Sequence, residues 1–426
     1  MTHRPMAWCG ALLLVGALLC AHAADATTQQ DGELRLRIVL MRHGVRSPTS
    51  APSDLSVYSR EPWANWPVAP GVLTEHGSKG LQALGARYRQ TLMEASLWNG
   101  SCTTLSRDVL VIADSTPRNR ASGEALVHGL APDCAGRFQA LPADINNPLF
   151  HFGSKDEGKE DDNAAVPMPE SWPPPAFDEL QRVLLGCNDD TCLSDAIAQG
   201  RRPLLSKAKA SETSARAKAL KTAGSLSENL MLAYAQGFPL AQVAWGRADA
   251  TTIGRLITLH NLQFDLAKKR LPAAAQAGSN LLAHMLATLQ QAAGDPLVAA
   301  ALAPASTRVV LLVGHDTNLA NIGGLLGAEW HDARQPDDYP PGGALVLDLR
   351  RQHDAFVVEL SSLMPTLDAL RSANFRDKDT LVRHSISLPP CPGQTTCPLA
   401  KVSAWLGTRI DPASVEPGIP SMPWVQ

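Results

Sequence analysis

Five short, mainly apolar runs rich in Leu, Val and Ile punctuate the chain, at 34–41, 109–113, 309–313, 345–349 and 356–360. Each is bounded by charged or turn-forming residues and is too short for a typical helix, so the runs predict buried strands. Between the first two the pattern changes to a helical period. Thr74 stands as an N-cap before "EHGSKGLQALGARYRQTLMEA". A strand–helix–strand rhythm of this kind predicts an α/β fold, built on a mixed, mainly parallel sheet with flanking helices.

The stretch 151–176 is charged and then Pro-rich, which predicts an exposed connection. Four helical segments follow, at about 177–185, 212–236, 252–270 and 276–293. In the second of these only the "LSENLMLAYA" half has the apolar content of a packed helix. No internal repeat is visible. The expected organisation is an α/β core made of 24–140 and 300–426, interrupted by a mainly helical domain at 141–299.

At the N-terminus, His3 and Arg4 precede the apolar run 11–19, and Ala21-His22-Ala23 forms a small-x-small cleavage site. We read 1–23 as a signal peptide, cut near Ala23, and expect a periplasmic or secreted protein. Leu19 is too bulky for a lipoprotein site at Cys20. The run is also too short to span a bilayer. Cys102, Cys134, Cys187, Cys192, Cys391 and Cys397 would remain, an even number as in disulfide-bonded exported proteins. Local spacing favours 187–192 and 391–397, which leaves 102–134. A zinc site is the rival, but there is no CxxC and no histidine at ligand spacing.

Composition narrows the function only a little. The 426 residues, 45% apolar and 19% charged, suit one large or two ordinary globular domains. The formal charge is −3, and cutting after Ala23 removes Arg4 alone, so 37 basic against 41 acidic residues leaves −4. That balance gives no electrostatic case for nucleic acid or an anionic membrane. A monomer acting on small molecules is expected.

The candidate chemistry lies where three strands end. The first runs into "RHGVRSPT", which supplies Arg42, His43 and Arg46 with no acidic residue before Asp54. The second ends in "DSTPRNRAS", which offers Asp114, Arg118 and Arg120, and the third in "GHDTNLANIGG", which offers His315 and Asp316 at a helix start. Ligands of open α/β sheets bind beyond the carboxyl ends of strands, so these groups should share one rim. Such a set suits phosphoryl transfer. A neutral imidazole, His43, can attack phosphorus to give a phosphohistidine. Guanidiniums bind the phosphate oxygens and the charge spread over them. Asp316 can protonate the leaving oxygen. No metal or other cofactor is required by this scheme, and these segments show no metal-ligand spacing.

"RHGVRSPT" with a downstream "GHDTNLANIGG" resembles the histidine acid phosphatases, in particular the bacterial periplasmic phytases and glucose-1-phosphatases. "WPVAPGVLTEHG", "GLAPDCA", "AQGFPLAQVAWGR", "TLHNLQFDL" and "PPGGALVLDL" fit the same branch, so the resemblance spans nearly the whole mature chain. It implies a phosphoglycerate-mutase-like α/β domain plus a mainly helical domain, with the site in the cleft between them. It implies His43 as nucleophile, Asp316 as proton donor, and Arg42, Arg46, Arg118 and His315 as phosphate ligands. Arg118 is preferred to Arg120 because the family's arginine stands four residues before a Ser or Thr, here Ser122. Thr49, Asp114 and Glu228 match substrate-facing positions, and the cysteine pairs match as well. Ser50 stands where enterobacterial phytases usually carry a lysine, and an arginine they carry near position 277 is absent. "RHGVR" and "HDTN" favour phytases over glucose-1-phosphatases. The expected activity is acid phosphomonoester hydrolysis, with inositol hexakisphosphate among the substrates. A sugar-phosphate phosphatase and a non-catalytic phosphoester-binding protein are the alternatives.

Overall fold

The computed structural model describes residues 32–143, 145–152, 168–169 and 171–425; the expected signal peptide lies outside them. Among the described residues nine strands pair into one sheet. They are β1 (Glu33–Arg42), β2 (Val109–Ala113), β3 (Phe138–Gln139), β4 (Val309–Gly314), β5 (Ala344–Gln352), β6 (Ala355–Pro365), β7 (Leu381–Ile386), β8 (Cys397–Pro398) and β9 (Trp424–Val425). Their order is β7-β6-β5-β1-β4-β2-β3-β9, with β8 paired to β6. The sheet is mixed, as expected. β1, β4, β2 and β3 run parallel, and β5, β6 and β7 extend β1 in antiparallel fashion.

The central strands read as continuous apolar runs because both their faces are covered. Val39 and Met41 of β1, with Val309, Leu311 and Val313 of β4, face the core of helices Glu75–Glu94 and Pro117–Leu130. Their neighbours Ile38, Leu40, Val310 and Leu312 face the opposite core, under helices Ala273–Ala293 and Asp316–Leu325. The two-residue period of a strand divides each run between the two cores. Phe177, Leu180, Leu226 and Leu230, from the helical middle of the chain, join the first core.

Several expectations change in detail. The segment expected as one helix at 252–270 is divided into Ala250–Leu256, Thr258–Phe264 and a wide final turn, Asp265–Lys269. The helix Thr213–Ala235 is buried at every position from Leu226 to Ala235, as its apolar half suggested, and also at Ala219, Leu220, Ala223 and Gly224. β7 lacks a strand signature because only Val382 and Ile386 of its six residues are buried. The disulfides Cys102–Cys134, Cys187–Cys192 and Cys391–Cys397 form as expected. Among the described residues no helix is long and apolar enough to cross a membrane.

Candidate active site

Register brings the three motifs together. Arg42 lies opposite Gly314 and Met41 opposite Val313, which is also opposite Ala113. The residues that leave the strands are then tied across the sheet. The His43 amide donates to the Gly314 carbonyl at 2.9 Å and the Asp114 amide to that of Val313 at 2.9 Å. Beyond His43 the chain turns against the start of helix Glu75–Glu94. Thr74 donates its amide to the Val45 carbonyl at 3.1 Å, and its side chain caps the Gly77 amide at 2.9 Å. Gly77 is required there by close approach, since a Cβ would sit 2.1 Å from the Val45 carbonyl oxygen.

His43 is buried, and its Nδ1 lies 2.9 Å from the carbonyl oxygen of Gly44. A carbonyl only accepts, so Nδ1 carries the proton and Nε2 keeps its lone pair. Burial, and then the charges of Arg118, Arg42, Arg46 and His315, hold the imidazole well below the usual histidine range. The neutral ring required of a nucleophile is therefore the stable form.

Arg42 is fully buried, donates to the Tyr339 carbonyl at 2.6 Å and to Glu228, and forms an ion pair with Asp316 at 2.8 Å. Glu228 also accepts from Arg46 at 3.2 Å, so one carboxylate aligns two guanidiniums. Burial works against the charge on Arg42, but Asp316 and Glu228 more than offset it and its pKa is raised. Asp316 shows the converse. Burial pushes its carboxyl up, yet Arg42, followed by His260, His43 and Arg46, holds it far below the usual carboxylate range. In this arrangement Asp316 is an anion, and a proton for a leaving group has to arrive from elsewhere. Behind it, Asp337 accepts from the Tyr339 amide at 2.9 Å and so fixes the carbonyl that Arg42 meets.

The third element is a network about Asp114. Its Oδ2 accepts from His315 Nε2 at 2.9 Å, His151 Nε2 at 3.1 Å and the Thr116 amide at 3.2 Å. Burial raises the Asp114 carboxyl, and the two histidine contacts more than reverse the shift. Arg118 donates to His315 Nδ1 at 3.1 Å. A guanidinium only donates, so the His315 proton resides on Nε2. Burial above all lowers the His315 pKa. Asn119 fixes the start of the Arg118 helix by donating to the carbonyls of Val313 at 2.9 Å and Gly314 at 2.8 Å.

His43, Asp316, Arg42, Arg46, Arg118, His315, Asp114 and Glu228 are thus neighbours, whereas Thr49 lies exposed in the loop beyond Arg46. Arg120 points elsewhere and donates to the Leu141 carbonyl at 2.6 Å. Three participants carried no sequence signal: His151, His260 and Asp337. His151 belongs to the stretch expected to be exposed, but is largely covered and reaches Asp114. The reason is local: its amide donates to the Asn147 carbonyl at 2.9 Å, while Asn318 donates to the Phe150 carbonyl at 2.7 Å and ties this turn to the helix of Asp316. The sequence shows no metal-ligand spacing, yet the fold assembles two groups that could hold an ion, Asp114 with His151 and His315, and Glu228 with His260 and Asp316.

Three guanidiniums around a neutral imidazole, on the carboxyl ends of parallel strands, define a phosphoryl-transfer site. Residues 33–384 match the histidine phosphatase superfamily (branch 2), and the chain belongs to that family. It is a phosphoric monoester hydrolase of the histidine acid phosphatase type. Phytase AppA of Escherichia coli (strain K12) is 33% identical over 86% of this chain and 87% of its own length. Glucose-1-phosphatase of Providencia rettgeri is 25% identical, over 87% of this chain and 89% of its own. The solved structure of Hafnia alvei phytase in complex with tartrate superposes with a TM-score of 0.75 at 26% identity, covering 90% of this chain and 99% of that one.

Proposed function

We propose that this enzyme hydrolyses phosphate monoesters at acid pH through a phosphohistidine on His43, and that inositol hexakisphosphate is among its substrates. The observation that carries the reading is the neutral Nε2 of His43 set among Arg42, Arg46 and Arg118. In the first step Nε2 bonds to phosphorus and the P–O bond to the leaving group breaks. The departing oxygen takes a proton from Asp316. In the second, water adds to phosphorus, the N–P bond breaks, and Asp316 receives the water proton. Arg42, Arg46, Arg118 and His315 hold the phosphate oxygens, and Glu228 ties Arg42 to Arg46. Thr49 and Asp114 are the further candidates to face the rest of the substrate.

The depressed Asp316 bears on where the first proton comes from. An ester phosphate loses its second proton near pH 6, so below that pH the substrate can itself carry the proton in. As its oxygens take up Arg42, the main charge that depresses Asp316 is drawn off, and the proton can pass to the carboxylate. The phytase reading fits the more similar of the two curated relatives, and a sugar-phosphate specificity is not favoured. A mere phosphoester binder would use the arginines but need neither His43 nor Asp316. On this reading the described residues of 24–140 and 300–426 form the core, helix Ala273–Ala293 packs on its sheet, and the rest of the helical 141–299 supplies Glu228 and His260. Export with cleavage near Ala23 fits three disulfides.

Phosphate release from inositol hexakisphosphate, glucose-1-phosphate and an aryl phosphate tests the proposal. We expect turnover of the first and third without added metal. Because Ser50 and the region of Ala277 lack the cations noted above, the preference for the polyphosphate should be modest and should weaken with salt. No release from inositol hexakisphosphate, with aryl phosphate turned over, would remove the phytase assignment and leave the phosphatase.

A further inference from the structure

Asp114, His151 and His315 come from three separate segments, and three of their donor atoms meet at one point. His315 Nε2 and Asp114 Oδ2 are 2.9 Å apart, His151 Nε2 lies 3.1 Å from Asp114 Oδ2, and the two Nε2 atoms are 3.1 Å apart. We propose that these three side chains bind a divalent transition-metal ion of the zinc class, and that the ion inhibits the phosphatase by displacing Arg118. The binding half stands on geometry alone; the inhibition half rests on the role given to Arg118 above.

The donor triangle is close to what such an ion needs. Zinc held at about 2.0–2.1 Å in tetrahedral geometry keeps neighbouring donors roughly 3.3 Å apart, so the three atoms need to open by only roughly 0.2–0.4 Å. Two imidazoles and one carboxylate select zinc, cobalt or copper over magnesium or calcium. Asp114 is wholly buried and its Oδ1 has no hydrogen-bond partner among the described residues, so the carboxylate keeps a further lone pair for an ion beside the triangle. The other candidate group, Glu228 with His260 and Asp316, is a poorer choice. Both of its carboxylates already meet the buried guanidinium of Arg42, which an ion would have to expel.

Inhibition follows from proton placement on His315. Arg118 donates to Nδ1 at 3.1 Å, which requires a lone pair there and the proton on Nε2. An ion bound through Nε2 takes the place of the proton there, and the neutral ring then carries its single N–H proton on Nδ1. Nδ1 then confronts the guanidinium donor to donor, with a dication added behind it. Arg118 must swing away, and the phosphate clamp loses one arm. By reciprocity, an anion that holds Arg118 in place must weaken the ion.

The test uses the full mature protein, native and as His151→Asn, with His151→Gln as a second variant and His260→Asn as the comparison. Asn and Gln can still donate to Asp114, and an unchanged midpoint in urea denaturation reports folding, while inhibition is read on an aryl phosphate relative to each variant's own zinc-free rate. At about pH 7, where imidazoles are largely neutral, Co2+ is titrated for the visible absorption of a tetrahedral site and Zn2+ by calorimetry. We expect one equivalent bound, an affinity at least tenfold weaker in both His151 variants and unchanged in His260→Asn. Zinc should inhibit the native enzyme, less so the His151 variants, and inorganic phosphate should compete with it. Equal affinity in native and His151 variants, or a loss confined to His260→Asn, would overturn the site. His151-dependent binding without inhibition or without competition by phosphate would overturn the Arg118 mechanism alone. Neither result depends on a phosphoenzyme forming at His43.

Discussion

The Nδ1 atom of His43 sits 2.9 Å from the carbonyl oxygen of the next residue, Gly44. That contact decides which nitrogen can attack. With the proton held at Nδ1, the lone pair on Nε2 is available as soon as the ring is neutral, and burial with three nearby arginines keeps it neutral in acid.

His43→Ala should therefore lower turnover by about 10³-fold or more, since it removes the nitrogen proposed to form the covalent intermediate. The fold should survive, because the backbone bond from residue 43 to the Gly314 carbonyl remains. Acid quenching during turnover should trap labelled phosphate on native protein and none on the variant. Label in the variant would assign the nucleophile elsewhere.

The ion pair of Asp316 with Arg42, at 2.8 Å, sets the pH dependence. Asp316 is held low, so it stays ionised through the acid range before substrate arrives. The limiting proton is then the second proton of the ester. On alkyl phosphates kcat/KM should be flat below about pH 6 and fall about tenfold per pH unit above it. Asp316→Asn should cost about 10²-fold or more on alkyl esters and much less on aryl esters, whose leaving groups depart without protonation. Equal losses on both would reduce Asp316 to a partner of Arg42.

Asn119 holds two buried carbonyls, those of Val313 and Gly314, at the point where β4 meets the site. Asn119→Ala leaves both without this donor, which should cost about 1–3 kcal/mol in chemical denaturation. It also frees the first turn that carries Arg118, so KM for phosphate esters should rise together with the loss of stability. An unchanged denaturation midpoint would show that the helix start is held by other contacts.

The three disulfides should differ in weight. Cys102 and Cys134 are separated by 32 positions, whereas Cys187 and Cys192 are separated by 5. Loop-closure entropy then gives about 4 kcal/mol for the first and about 2 kcal/mol for the second. Paired Cys→Ala variants, compared by urea denaturation, should follow that order. The reverse order would mean that packing around the half-buried Cys134 is indifferent to the bridge.

Much of this enzyme is legible along the chain because the relevant patterns are local. The β2 and β4 runs and the 38–41 end of β1 declare themselves, since a strand covered on both faces has no polar position to hide it. Each of them ends in its own motif, so the rule that ligands gather at carboxyl ends was enough to unite Arg42, His43, Arg118 and His315 before any coordinates. The same rule could not say that Arg118, not Arg120, turns inward. That depends on the first turn of a helix, which Asn119 anchors to β4.

Apart from the contact of His43 with Gly44, what tunes the site comes from pairing distant in sequence, of which local pattern carries no trace. Glu228 joins Arg42 across 186 positions, from a helix whose apolar period reports only burial. His151 meets His315 across 164 positions from a stretch whose composition reads as a surface loop. The sequence by itself determined five of the nine described strands, the candidate nucleophile His43 with its arginines, the candidate acid Asp316 and the two short cysteine pairs, because each is set by neighbours in the chain. Only the tertiary structure decided the protonation of His43 and Asp316, the tautomer of His315 and the meeting of Asp114 with two histidines, because desolvation and charge depend on distances that the chain closes only when the sheet is paired.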